Sequence, residues 1–562
     1  MRDLDLVDIQ GGVLRAYGRL GFPKARYFFF TVHDAAKGRR FVEKLRPHIT
    51  TAARWVDPKR GDLLLRTRHP KVTDAIRAKG IDDYPGAVQL VKPVVAMNVA
   101  FSFLGLLALE VPTRTLRGMP DEFMDGMEKR APMLGDTPWL AKRDVIWKRA
   151  QEKPVHILVS LNAEMDDAGQ PVPELEARTQ WLMGLCVASE GGVELLSGHG
   201  PTEAPYQDMS ALLRDVDGKA VPTNQEHFHL SDGFGDPVFA GQYGPKAEAI
   251  KQIGGGKLLP DQTWAPLATG EFLLGYPDEA QEIPGAAMPL EFSRNGTFMA
   301  YRKLHENTAS FSSYISAQGA SYANAAGLSD LEKATAFVSA KMVGRWHDGV
   351  PLMAAPTIEA WDAFNADLAA AQQAQDKTRL AAIALTYVDF KYRPDPGGAV
   401  CPMTSHMRRM NTRDMLDPHF SSPDPKDWTG SALNNRRRIL RRGLPYGSVD
   451  GPNAVDDAEH GIVFLAVCAS LFRQFEFVQQ QWVQYGLDFN VGSDTCPIVG
   501  NHDPEGKGPQ AKFVIPTDPD GTDTPYICER VPQFVEPRGG EYFFVPSMTA
   551  LRMIGMGIVD PT

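Results

Sequence analysis

A chain of 562 residues with a formal net charge of −10 exceeds the size at which a single hydrophobic core stops growing, which predicts two core-bearing units. The acidic balance opposes the positive field that nucleic-acid backbones require, and no run approaches the roughly 18 uninterrupted apolar residues that cross a bilayer. Neither nucleic acid nor membrane is therefore an expected partner. The five cysteines lie far apart, without paired spacing, and read as reduced thiols. The opening MRDLDLVDIQGG has neither the basic and apolar regions of a secretory leader nor twin arginines, so a cytoplasmic location is expected.

In the first third, strand-like runs rich in Val, Phe and Leu alternate with helical patterns. RYFFFTV near Tyr27, GDLLLRT near Leu63, MNVAFSFLGLLAL from Met97 and VHILVSLNA from Val155 read as strands, whereas AAKGRRFVEKL and ELEARTQWLMGLCVAS carry apolar residues at helical spacing. The alternation predicts an α+β sandwich of the ferredoxin-like kind. The second half repeats the theme with GEFLLGY from Gly270, GTFMAYRKL from Gly296, GIVFLAVCASLF from Gly461 and GGEYFFVPS from Gly539. Two related α+β halves are expected, residues 1–215 and 216–562, each a largely antiparallel sheet with flanking helices. Long connections separate the later strands, among them KYRPDPGGAVCPMTSHMRRMNTRD and LDPHFSSPDPKDWTG. Connections this long are usually functional or disordered.

Several segments in order along nearly the whole chain resemble the dye-decolourising peroxidases. They are DIQGGVLRAYGR, DEFMDGMEKRAPMLGD from Asp121, SDGFGDP around Asp232, GTFMAYRKL, KMVGRWHDGVPL from Lys341, CPMTSHMRRMNTR around His406, RRRILRRGLPYG ending at Gly447, and FRQFEFVQQQWV from Phe472. The resemblance implies a noncovalent b-type haem (iron protoporphyrin IX) between two ferredoxin-like halves, held mainly by the second. It also implies hydrogen peroxide as oxidant, bulky aromatic reductants such as dyes and phenols, and a ferryl intermediate.

Carried over by position, the resemblance makes His406 the iron ligand, because a peroxidase needs a neutral nitrogen donor on one face of iron and an open opposite face. Ligating histidines usually donate their second N–H to a carboxylate or carbonyl, and Asp488 and Asp494 are the candidates. Asp232 matches the carboxylate that moves the peroxide proton, although Asp-Gly is also an ordinary turn. Arg441 matches the distal arginine that stabilises developing negative charge, with Arg442 as the alternative if the register slips by one. Arg413 matches a residue that contacts a haem propionate, and Phe464 one that lines the distal face. A surface arginine and a core phenylalanine are the plainer readings of these two.

The pattern also departs from the family. His229 stands where the family's G-x-x-D-G motif begins with glycine, and Asp236 adds a carboxylate near Asp232, which predicts that one of the two pKa values rises. His227 and His229, on a strand, would share a face and with Asp232 could mimic a metal site. GGGK near Gly254 reads as a flexible turn, and the aromatic residues of FEFVQQQWV read as core. Trp346 and Trp482 are candidate surface electron relays. Against the peroxidase stands a second function, a haem-binding protein for storage, sensing or delivery, motivated by the altered HLSDG segment.

Overall fold

The computed structural model describes residues 4–55, 92–200, 203–284, 286–448, 455–502, 511–518 and 522–559. The run GDLLLRT lies outside them. Nine strands form one sheet. The first half contributes β1 (Lys24–Val32), β2 (Val95–Phe101), β3 (Ile157–Ala163), β4 (Val193–Leu195) and β5 (Gln207–Ser210). The second contributes β6 (Thr297–Glu306), β7 (Leu440–Tyr446), β8 (Gly461–Cys468) and β9 (Val535–Val545).

Strand order is β7-β8-β6-β9-β2-β3-β1-β4, with β5 also on β1, and every pairing is antiparallel. Read within each half, the order 2-3-1-4 and the βαββαβ connectivity repeat, so each half is ferredoxin-like. The halves join through one residue pair, Phe544 with Phe101. Tyr27, Phe29 and Leu158 from the first sheet face Tyr301, Val463, Leu465 and Phe543 from the second in a shared interior. Alternate residues such as Phe28, Phe30 and Ala466 face the outer helices. Burial on both faces explains why these strands read as unbroken apolar runs.

Helix α1 (Ala35–Leu45) starts where the Asp34 side chain accepts from the Lys37 N–H, an ordinary N-cap, and α2 (Pro173–Val187) begins with proline in its first turn. Both match the predicted helices. Further helices follow at α3 (Thr308–Ala326), α4 (Leu331–Val343), α5 (Ile358–Gln373), α6 (His406–Met410) and α7 (Met548–Met556). The last packs on α1, so the chain end returns to the first half.

Two expectations need correction. GEFLLGY is not a strand: residues Thr269–Glu271 form a 3₁₀ turn that buries Phe272, Leu273 and Leu274. A short apolar run between glycines has no periodicity that separates strand from buried turn. MNVAFSFLGLLAL is a strand only to Phe101, after which Ser102 caps a helix over Phe103–Ala108.

Candidate active site

The site begins with the loop before Asp232. The Glu226 carboxyl accepts from the Phe228 and Leu230 N–H groups at 2.7 and 3.0 Å, and the His229 N–H returns to the Glu226 carbonyl. The segment is a turn, not a strand. His227 is buried with Nε2 on the Tyr446 carbonyl at 2.9 Å, whereas His229 is exposed. No group of three or more potential metal-binding side chains occurs among the described residues.

His229 has φ +61°, in the left-handed region that glycine occupies without cost. The histidine therefore sits in a conformation costing about 1–2 kcal/mol for a residue with a Cβ. His229→Gly is expected to raise the thermal midpoint by a few degrees, less than the full strain because glycine also frees the unfolded chain. A lowered midpoint in calorimetry would remove the strain argument.

Past the turn, the loop docks on β7 through arginines. Arg441 Nη1 donates to Asp232 Oδ1 at 2.8 Å and Nη2 to the Phe234 carbonyl at 2.8 Å. Arg442 Nη1 donates to Asp236 Oδ2 at 2.9 Å, and the Arg441 backbone N–H to Asp236 Oδ1 at 3.1 Å. The two carboxylates thus do not share a site; each has its own guanidinium. Pairing Arg441 with Ala466 and Arg442 with Leu465 puts Arg441 on the outer face of the sheet and Arg442 on the interior face, which settles the register in favour of Arg441 as Asp232's partner. Burial opposes the Arg441 charge, but Asp232 and Asp236 outweigh it and raise its pKa. With the two side chains 34% and 51% exposed, the ion pair itself contributes only about 0–1 kcal/mol. Its value is positional.

Asp232, Gly233, Arg441, Gly443 and Phe464 line a cavity of about 1250 Å³ that extends past the β7 edge into the interior between the halves. Phe464 lies on the same sheet face as Arg441, opposite Gly443. His406 and Arg413 do not line this cavity; they belong to the layer beyond. The two layers meet at Gly235, where φ is +69° and an added Cβ would come within 3.9 Å of Asn411 Nδ2 and 4.0 Å of Arg413 Nη2.

His406 opens α6 and is half-buried. Its Nδ1 lies 3.2 Å from Cys496 Sγ. Neither expected carboxylate fills that role: Asp488 accepts from Trp482 Nε1 at 3.0 Å, and Asp494 pairs with Lys512 at 3.3 Å.

Arg413 is no surface residue. It is 3% exposed, stacks on the Phe390 ring at 3.8 Å and donates to the Phe390 carbonyl. Two buried companions escaped the sequence reading. Arg345 donates to the Gly349 and Tyr387 carbonyls, and Arg438 to those of Gly235, Gly255 and Gly256. GGGK is accordingly a packed backbone acceptor rather than a flexible turn. Burial, reinforced by neighbouring arginines, lowers Arg345 and Arg438 to about 9, which leaves both charged at neutral pH. None of Arg345, Arg413 and Arg438 has a carboxylate at ion-pair distance among the described residues. Buried cations held only by carbonyls are costly unless an anion completes them.

Beneath the loop, Glu226 and Glu306 hydrogen-bond through their carboxyls. Burial raises both, Glu306 from 4.5 to about 7 and Glu226 well above its ordinary value, with the Glu306 charge also acting on Glu226. The folded protein therefore holds a proton that the unfolded chain releases near 4.5. Stability from this source is complete below that pH and is lost as pH rises through about 7. Glu306→Gln is expected to flatten the decline in Tm across that window; an unchanged slope would place the pH dependence elsewhere.

Trp346 and Trp482 are both 1% exposed, so neither is a surface relay. Trp346 stacks on Trp361 with centroids 4.4 Å apart and planes 2° from parallel, and Trp482 packs in the core, as FEFVQQQWV predicts. None of the five cysteines is disulfide-bonded. No helix among the described residues is long and apolar enough to cross a membrane.

Comparison with known proteins agrees with the fold. Residues 8–177 match the model of the DyP dimeric alpha+beta barrel domain. The chain is 26% identical to Peroxidase 2 of Mycetinis scorodonius over 98% of its length and 87% of the relative's. It is 25% identical, over the same shares, to the Dye-decolorizing peroxidase of Mycena epipterygia. Among solved structures, an ancestral D-type dye decolorizing peroxidase superposes with a TM-score of 0.67 at 23% identity, covering 98% of this chain and 99% of the other. A dye-decolorizing peroxidase in complex with 2,6-dimethoxyphenol gives 0.65 at 23% identity, covering 98% and 100%. In its two ferredoxin-like halves and over nearly its whole length, the chain is similar to the dye-decolourising peroxidases.

Proposed function

We propose that the protein is a haem peroxidase that reduces hydrogen peroxide and oxidises bulky aromatic reductants such as dyes and phenols, with one haem b held mainly by the second half. The observation that carries this reading is the Asp232–Arg441 pair, 2.8 Å apart on the wall of a cavity of about 1250 Å³. The phenolic complex of a structural relative supports the substrate class.

The residues present suit a haem. His406 has Nδ1 engaged by Cys496, which orients Nε2 as the donor to iron. Phe464 supplies an apolar wall. Arg413, with Arg345 and Arg438 close by, supplies buried positive charge that the two propionates would complete. Bound haem supplies the iron that takes up peroxide and the oxidising equivalents passed to the reductant.

The protein's own groups manage protons and charge. The Asp232 carboxylate takes the proton from the nearer peroxide oxygen and returns it to the farther one, so that the departing oxygen leaves as water. Arg441, kept charged by Asp232 and Asp236, donates to the oxygen that gains negative character. Its second bond, to the Phe234 carbonyl, fixes the guanidinium plane before peroxide arrives.

Steady-state oxidation of a phenol and a bulky dye by the haem-loaded protein tests this reading. Peroxide-dependent turnover at mildly acidic pH is expected. Stable haem binding with negligible turnover would contradict it and favour a storage, sensing or delivery protein.

A further inference from the structure

The second nitrogen of His406 meets a sulphur atom. Cys496 is fully buried and lies 90 residues along the chain, on a loop that packs under α6. The loop is held tightly. The Cys496 N–H donates to the Val483 carbonyl at 2.7 Å, and its own carbonyl accepts from the Gly500 N–H at 2.9 Å and from His502 Nε2 at 2.9 Å. The Val499 N–H also hydrogen-bonds the sulphur. Arg409, fully buried, spans the same loop by donating to the Trp482 and Asp494 carbonyls. Three separate anchors therefore fix Sγ at one point in front of Nδ1. Packing alone would not require this, since a small apolar residue would fill the same volume. Both carboxylates on this side are committed elsewhere, Asp488 to Trp482 and Asp494 to Lys512.

We propose that Cys496 is the positioning residue for the haem ligand: its sulphur accepts the Nδ1–H hydrogen bond of His406, fixing the ring plane and the tautomer that presents Nε2, in place of a carboxylate. The inference rests on the reading of His406 as iron ligand. Sulphur is a larger, softer and weaker acceptor than a carboxylate oxygen. It withdraws less of the Nδ1 proton, so the imidazole donates less electron density than a carboxylate-bonded histidine would. Cys496 thus fixes where the ligand points and also limits how strongly it donates.

The test is the iron–histidine stretching band in the resonance Raman spectrum of the ferrous, haem-loaded protein, paired with the ferric/ferrous potential from spectroelectrochemistry. Cys496→Ala removes the acceptor; the band is expected to move to lower frequency and broaden, and the potential to rise. Cys496→Asp supplies a stronger acceptor, and both quantities are expected to move the opposite way. Cys496→Ser keeps the size and a hydrogen-bonding atom and serves if the alanine variant fails to fold; its band is expected to stay sharp and within the range set by the other two. A merely structural cysteine would leave band and potential unmoved in every variant that retains haem, and that result would overturn the proposal while leaving His406 as ligand. A wild-type protein without any iron–histidine band would overturn both.

Discussion

Replacing Asp232 by asparagine is expected to slow the bimolecular reaction with hydrogen peroxide by about 10²–10⁴-fold, the usual range for losing a positioned general acid–base. Haem content and resting absorption should stay close to wild type. Asparagine preserves the shape of the side chain, and its amide oxygen can still accept from Arg441 Nη1, which now bonds Asp232 Oδ1 at 2.8 Å. The loop should therefore hold, because its other anchors, Phe234 to Arg441, Gly235 to Arg438 and Asp236 to Arg442, are untouched. What disappears is the group that can take up a proton and give it back. Stopped-flow rates across a pH series would check this, with Asp236→Asn as control. That variant removes a carboxylate with its own arginine and is expected to leave the peroxide rate within a few-fold of wild type. A large loss in Asp236→Asn with none in Asp232→Asn would move the proton-transfer role to the second carboxylate.

His406→Ala is expected to have the largest effect on the bound cofactor. Removing the proposed iron ligand should weaken haem retention by about tenfold or more, since indirect partners of metal ligands alone are typically worth 10–100-fold in affinity. Purified variant should carry little haem, and any haem added back should lack a histidine-ligated spectrum. The fold should survive. His406 is half-buried on a one-turn helix, and its single hydrogen bond, to Cys496, goes to a loop with several other anchors. Circular dichroism and thermal melting of the haem-free proteins would separate loss of ligand from loss of structure. Normal haem content with unaltered ligation would remove His406 as the ligand.

The architecture was legible because its strands are buried on both faces. RYFFFTV, VHILVSLNA, GIVFLAVC and GGEYFFV read as strands on composition alone, and AAKGRRFVEKL and ELEARTQWLMGLCVAS read as helices on the spacing of their apolar residues. GEFLLGY has the same composition but turns after Glu271, and nothing within seven residues distinguishes the two outcomes. The ordered motifs singled out Asp232, Arg441 and His406; the structure brings Asp232 and Arg441 together, and the sheet register separates Arg441 from Arg442, since neighbours on a strand face opposite sides. The partners of these residues were not legible. Cys496 comes to His406 across 90 positions, and Glu306 comes to Glu226 across 80, through packing that leaves no local trace. Arg438 sits in an arginine-rich run that resembles solvated surface, and Arg345 is a lone arginine in KMVGRWHDGVPL; their burial against carbonyls is what distinguishes both. The strain at His229 was equally hidden, because histidine carries no signal that its backbone will be left-handed; the family's glycine at that place was the only hint.

The most direct measurement is a stopped-flow absorption spectrum of haem-loaded protein mixed with one equivalent of hydrogen peroxide at mildly acidic pH. Rapid conversion of the resting Soret band to an oxidised spectrum, slowed in Asp232→Asn and returned to rest by a phenol, is the result a peroxidase with this site gives. A Soret band that peroxide leaves unchanged would contradict it.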